Sequence, residues 1–89
     1  MIKKELKIIN ELGLHARASS KLTQLACKFA SEIIIKKDKN KVNAKSMMEI
    51  LMLAANKNSF IKIEIDGVDE KKALVAIEDL INNYFGESK

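Results

Sequence analysis

The sequence predicts an α+β fold: an open-faced β-sandwich whose four-stranded antiparallel sheet carries three helices on one face, in the order β-α-β-β-α-β-α. Three observations lead there. Short segments with alternating or β-branched apolar residues occur at four places in the chain. Other stretches repeat their apolar residues every three or four positions, as a helix with one buried face requires. The clearest strand alternates apolar residues with charges, so one face of the sheet is covered and the other is wet.

The elements follow in order. Ile2 to Ile9 is β-branched in part, with Leu6 and Ile8 alternating with the charged Glu5 and Lys7, and reads as the first strand. Asn10 to Leu14 contains Gly13 and reads as a loop. From Ala16 onward, Leu22, Leu25, Ala26 and Phe29 lie on one helical face. Ser31 to Lys37, with Ile33, Ile34 and Ile35, is the second strand. Asp38 to Asn40 turns the chain, and Lys41 to Ala44 is a short third strand. Ser46-Met47-Met48-Glu49 before an apolar run is a capping-box pattern, so a short helix starts at Met47. Phe60 to Ile65 alternates Ile61, Ile63 and Ile65 with Lys62 and Glu64, a strand with one buried face. Asp66-Gly67 turns the chain, and Asp69 stands where an N-cap belongs. Ala73, Leu74, Ile77, Leu80, Ile81 and Tyr84 form the stripe of a last helix, which Gly86 stops.

Composition narrows the function classes. The chain has 89 residues, 47% of them hydrophobic, and is expected to form one domain over residues 1–89. Its only cysteine, Cys27, can form neither an intrachain disulfide nor a thiolate cluster, which fits a reducing, cytoplasmic setting. Cys27 reads as a small buried or half-buried side chain. The N-terminus has no run resembling a signal peptide, and nothing approaches membrane-spanning length, so no membrane insertion is expected. One histidine and one cysteine make no credible metal site, and no cofactor is implied. The net charge is +4, with Lys36, Lys37, Lys39 and Lys41 around a hairpin tip. Such lysines guard a sheet edge more often than they bind a polyanion.

The informative stretch is Gly13-Leu14-His15-Ala16-Arg17-Ala18-Ser19-Ser20, which holds the only histidine. With a helix starting at Ala16, His15 is its N-cap. The backbone amides of Ala16, Arg17 and Ala18 then lack intrahelical acceptors. The helix dipole adds positive character at that end, which suits an anion. Arg17 adds a fork-shaped cation matched to phosphate oxygens. An imidazole placed here could carry a transient phosphoryl group among donors already aimed at it. The competing reading is an incidental surface histidine near a helix start.

The Gly-Leu-His-Ala-Arg motif followed by a helix resembles the phosphorylation site of the HPr family, the histidine-containing phosphocarriers of the bacterial phosphoenolpyruvate-dependent phosphotransferase system. Asn43-Ala44-Lys45-Ser46-Met47-Met48 resembles the family's regulatory serine segment. Asp66-Gly67 and the element order also match, so the resemblance covers essentially the whole chain. It implies that His15 accepts phosphate on Nδ1 from enzyme I and passes it to enzyme II A components. Arg17 would steady the phosphate. Ser46 would be the site used by HPr kinase/phosphorylase where that enzyme exists. Met47, Met48 and Leu51 would form the apolar docking patch beside the histidine. The protein would be a carrier and not an enzyme with its own small-molecule substrate, and a monomer that shows one face to successive partners. Sugar uptake and the nitrogen-related branch of the same system fit the motif equally.

Two departures stand out. Ala18 occupies the position where most relatives have proline, and the chain has no proline at all. Alanine keeps good helix propensity there, so phosphotransfer is expected to survive. Glu49 stands where many relatives have glycine, which places a carboxylate three residues after Ser46. Ser46 therefore reads equally well as a plain N-cap. A small basic RNA-binding domain is the alternative from another class. It would need aromatic residues on the exposed sheet face, whereas Phe29, Phe60, Tyr84 and Phe85 mostly fall at core-like positions. No nucleic-acid partner is expected.

Overall fold

The structure is a computed structural model that describes residues 1–89. Four strands, β1 (Ile2–Lys7), β2 (Glu32–Lys37), β3 (Asn40–Asn43) and β4 (Phe60–Asp66), form one antiparallel sheet in the order β1-β4-β2-β3. Three helices, α1 (Ala16–Ala26), α2 (Met47–Met52) and α3 (Glu70–Asn82), are followed by a 3-10 turn at Tyr84–Gly86. The predicted order β-α-β-β-α-β-α and the open-faced α+β architecture are both present. No helix is long and apolar enough to cross a membrane.

The register explains the core. Ile61, Ile63 and Ile65 of β4 lie opposite Leu6, Lys4 and Ile2 of β1, and Ile63 and Ile65 lie opposite Ile35 and Ile33 of β2. Successive strand residues point to opposite faces, so Ile33, Ile35, Ile61, Ile63 and Ile65 turn to the helices and are fully buried, while Ile34 lies half-buried on the other face. The helices meet them with Ala18, Leu22 and Ala26 from α1, Ile50 from α2, and Ala73, Ile77 and Ile81 from α3. Leu25, Phe29, Leu74 and Leu80 flank this core half-buried. Each buried isoleucine contributes about 1.5–3 kcal/mol relative to exposure, so the sheet face is the main source of stability.

Several expectations shift. β1 ends at Lys7, but its pairing runs on: the Ile8 amide donates to Ser59 O at 2.9 Å and the Asn58 amide to Ile8 O at 2.7 Å. β3 covers Asn40–Asn43 where Lys41–Ala44 was expected. The last helix ends at Asn82, so Tyr84 is off its stripe and 39% exposed. Phe85 fills that place instead. Cys27, expected to be buried or half-buried, is exposed at the C-cap of α1. Phe85 alone among the aromatics is fully buried, while Phe60 is 58% exposed on the open sheet face with the Lys7 ammonium 5.8 Å from its ring centre.

Asp69 is the N-cap of α3 by position but makes no side-chain capping bond. Its carboxylate accepts from the Ala30 amide (2.8 Å), the Ser31 amide (2.9 Å) and the Ser31 hydroxyl. It therefore clamps the chain between α1 and β2. The Ser31 hydroxyl and the Ala30 amide, with burial opposing them, hold the Asp69 carboxyl below the usual carboxylate range.

Candidate functional site

Packing against the chain after α2 sets the loop before α1. Gly13 has φ of +65°, and a Cβ there would lie 2.5 Å from Ala55 O and 2.8 Å from Asn56 Cα. Only glycine tolerates both the torsion and the close approach. The next residue, Leu14, is buried and donates its amide to Ala55 O at 2.8 Å. His15 follows as the N-cap of α1, with extended backbone at φ −78° and ψ −178°.

The helix start has the predicted form. Its first i→i−4 bond runs from the Ser19 amide to His15 O at 2.8 Å, so the amides of Ala16, Arg17 and Ala18 precede the ladder. The Arg17 amide turns back and donates to His15 Nδ1 at 3.3 Å. Ala16 and Arg17 are exposed, whereas Ala18 is fully buried. The three amides expected at this end thus belong to two exposed residues and one buried one, and all three add to the field of the helix end. The first turn holds no acidic residue, and the Arg17 guanidinium is in no ion pair. Both features leave the Nδ1 side of the ring facing positive potential from its own helix.

The other ring nitrogen faces a group that no motif foretold. His15 Nε2 is hydrogen-bonded to the Glu87 carboxylate, from 72 positions along the chain. The second oxygen of Glu87 accepts from Asn10 Nδ2 at 3.0 Å, and the same amide group donates to Gly13 O at 2.9 Å. Asn10 is fully buried. Burial of the Glu87 carboxyl opposes its ionisation. The bonds from Asn10 and His15, and the Arg17 charge, outweigh this and hold it below the ordinary carboxylate range.

The tail reaches His15 by an unusual route. Tyr84 and Phe85 take left-handed backbone at φ 59° and 55°, and Gly86 continues at 78°. Such conformations cost roughly 1–2 kcal/mol for each non-glycine residue. Burial of the Phe85 ring, about 1.5–3 kcal/mol, offsets much of this. Lys21 Nζ adds a bond to Phe85 O at 2.7 Å. The result is a shallow depression lined by Leu12, His15, Arg17, Glu87 and Lys89.

Ser46 caps α2 and accepts from the Glu49 amide at 3.3 Å. The reciprocal half of the capping box is absent, because Glu49 Oε1 accepts from the Asn43 amide at 3.0 Å instead. Ser46 is also far from His15. Its neighbour Lys45 offers its carbonyl to Cys27 Sγ at 3.9 Å, at the opposite end of α1. The 11 residues of α1 span about 16 Å. α2 then runs back toward Ala55, against which Leu14 is pinned.

The expected apolar patch is only partly as read. Met48 is 71% exposed, while Met47 and Leu51 are half-buried. Met52 (76% exposed) and Leu12 (66%) are more open than either. Leu12 between Glu11 and Gly13, in a short loop that already supplies Leu14 to the core, was the available signal. No three His, Cys, Asp or Glu side chains are grouped to hold a metal ion.

Comparison with known proteins identifies the family of the chain and its fold. Residues 2–83 match the family model described as PTS HPr component phosphorylation site. The chain is 53% identical to the phosphocarrier protein HPr of Neisseria meningitidis over 89 residues, all of both chains. The crystal structure of HPr-C-His from Thermoanaerobacter tengcongensis superposes with a TM-score of 0.96 at 42% identity, covering 100% of each chain. A crystal structure of an HPr dimer from the same source superposes at 0.79 and 42% identity, covering 98% of this chain and 100% of that one. An imidazole at an open helix start, in this fold and in this sequence context, places the chain in the HPr family of phosphocarrier proteins of the phosphotransferase system.

Proposed function

We propose that His15 is the phosphoacceptor and that the protein, one domain over residues 1–89, relays phosphate from enzyme I to enzyme II A components in the cytoplasm. The observation that carries this is the environment of His15 Nδ1, which faces the Arg17 amide at a helix whose first turn holds no acidic residue, with Glu87 on the Nε2 side of the ring. As Nδ1 bonds to phosphorus, that amide, the Ala16 amide and the Arg17 guanidinium meet the phosphoryl oxygens. The group sits at the rim of a shallow depression, open to a donor and then to an acceptor. Turnover of a small molecule is not part of this role, and the protein leaves each relay unchanged.

Docking is assigned to the strip from α2 to the loop before His15, with Met48, Met52 and Leu12 as its exposed contacts and Met47 and Leu51 beneath them. Flexible thioethers suit a surface that meets several partners in turn. A monomer presents this strip unobstructed. Ser46 is proposed as a regulatory phosphoacceptor for an HPr kinase/phosphorylase as well as a cap, its phosphate acting at the far end of the strip. The nucleic-acid reading gains one exposed sheet aromatic, Phe60, and no second stacking partner.

Intact mass after incubation with phosphoenolpyruvate and enzyme I tests the assignment. The expected result is one acid-labile phosphoryl group on the wild type and none on His15→Ala. Acceptance by His15→Ala, or none by either protein, refutes it.

A further inference from the structure

We propose that Glu87, held by Asn10, is a positioning residue for His15: it keeps the ring proton on Nε2, leaves the Nδ1 lone pair as the nucleophile, and pairs the positive ring that forms on phosphoryl transfer. The proposal rests on His15 being the phosphoacceptor and deepens that reading.

Both ring contacts point to one tautomer. Nδ1 receives a proton donor, the Arg17 amide, so it presents a lone pair. Nε2 meets a carboxylate oxygen, which accepts only, so it carries the hydrogen. The carboxylate is in turn fixed. Asn10 Nδ2 spans two acceptors, Gly13 O and Glu87 Oε1, so its amide can point only one way. Asn10 Oδ1 is buried without a partner, a cost retained beside the site. Phe85 and Lys21 anchor the tail one turn earlier. Loop, ring and tail therefore form one hydrogen-bonded constellation built from two distant parts of the chain, residues 10–15 and the tail at Glu87.

The chemistry balances without a further proton. The Nδ1 lone pair attacks phosphorus, and the bond from phosphorus to the donor breaks with its electron pair leaving on the donor. The ring now bears positive charge, with hydrogen still on Nε2 against Glu87. On discharge, the acceptor's lone pair takes the phosphoryl group, and the Nδ1–P electron pair returns to the ring. Because Nε2 stays protonated, imidazole departs as a neutral leaving group. The Glu87 charge favours that protonated, transfer-competent form.

Two readouts test this without a partner protein. Ring ¹⁵N chemical shifts report the tautomer of the unphosphorylated protein. Phosphoramidate, which donates a phosphoryl group and releases ammonia, reports through ³¹P shifts which ring nitrogen is modified. The wild type is expected as the Nε2–H tautomer, giving the Nδ1 product. Glu87→Ala and Asn10→Ala are expected to admit the second tautomer and to raise the Nε2 share of product roughly tenfold, the factor that one decade of differential interaction represents. Glu87→Gln keeps an acceptor without the charge. It should retain the Nδ1 product, while its phosphorylated form hydrolyses roughly tenfold more slowly at neutral pH, with the rate profile displaced to lower pH. An unchanged tautomer and product isomer in Glu87→Ala overturns the positioning role. Wild-type hydrolysis in Glu87→Gln overturns the charge role. A wild type that takes no phosphoryl group on His15 sinks the carrier reading instead, and the ¹⁵N shifts still decide whether Glu87 sets the tautomer.

Discussion

The starts of α1 and α2 make an instructive pair. Each has a polar side chain at its N-cap, and each cap accepts a backbone amide at 3.3 Å. Around α1 the first turn is free of acid and carries Arg17, with its cation unpaired. Around α2 the first turn already contains Glu49. The first helix end meets its one acid, Glu87, from the distant tail and on the Nε2 side of its cap, and the other has its field partly answered from within. His15 accepts from the amide two residues on and Ser46 from the amide three residues on, and in the reading proposed above the first end receives its anion from outside. The charges beside the cap, more than the cap itself, separate the two.

The widest expected separation comes from charge at the open end. Arg17→Ala removes charge-assisted bonds to the phosphoryl group, and rapid-quench measurements should show acceptance slowed about ten- to a hundredfold. Ser46→Asp tests the other end. A second acid beside Glu49 should weaken enzyme I binding roughly threefold to tenfold in calorimetry, because the charge lies at the rim of the docking strip and not at the histidine. Equal losses from the two substitutions would erase the distinction between the helix starts.

Ser46→Ala sharpens the comparison from the side of stability. Loss of the cap should cost about 1 kcal/mol and lower Tm by roughly 4–8 °C, while phosphoryl acceptance stays unchanged. Acid titration extends it to the tail and to α3. Glu87 and Asp69 both have folded-state values below those of the unfolded chain. The stability they add is complete above the unfolded carboxylate value of about 4 and fades as pH falls through the folded values. Glu87→Gln and Asp69→Asn should each flatten thermal stability against pH in that acid range alone. The smallest effect belongs to Ala18→Pro. Position 18 precedes the first i→i−4 bond, so no hydrogen bond is lost and acceptance should change by less than about threefold.

The sheet and the helix faces were readable because burial imprints a period on the sequence. Ile61, Ile63 and Ile65 alternate, Ala73, Ile77 and Ile81 recur every fourth residue, and all six are buried. The N-cap positions of His15 and Ser46 were readable because capping is a local event that depends on adjacent residues. The errors fall where neither rule applies. Tyr84 continued the helical spacing but lost its place to Phe85 when the chain turned left-handed. Asp69 had the right position for a cap, yet the Ala30 and Ser31 amides offered its carboxylate better partners. Glu49 matched the capping box and bonded Asn43 instead.

By itself, then, the sequence determined the element order, the buried face of each element and the helix start that presents His15. These follow from periodicity and from interactions within a few residues. Only the tertiary structure decided what the histidine touches on its far side. Asn10 and Glu87 meet there because the loop before α1 packs on Ala55 and the tail folds back over α1. Contacts across 72 positions leave no local pattern, since the free energy that forms them comes from packing of the whole core.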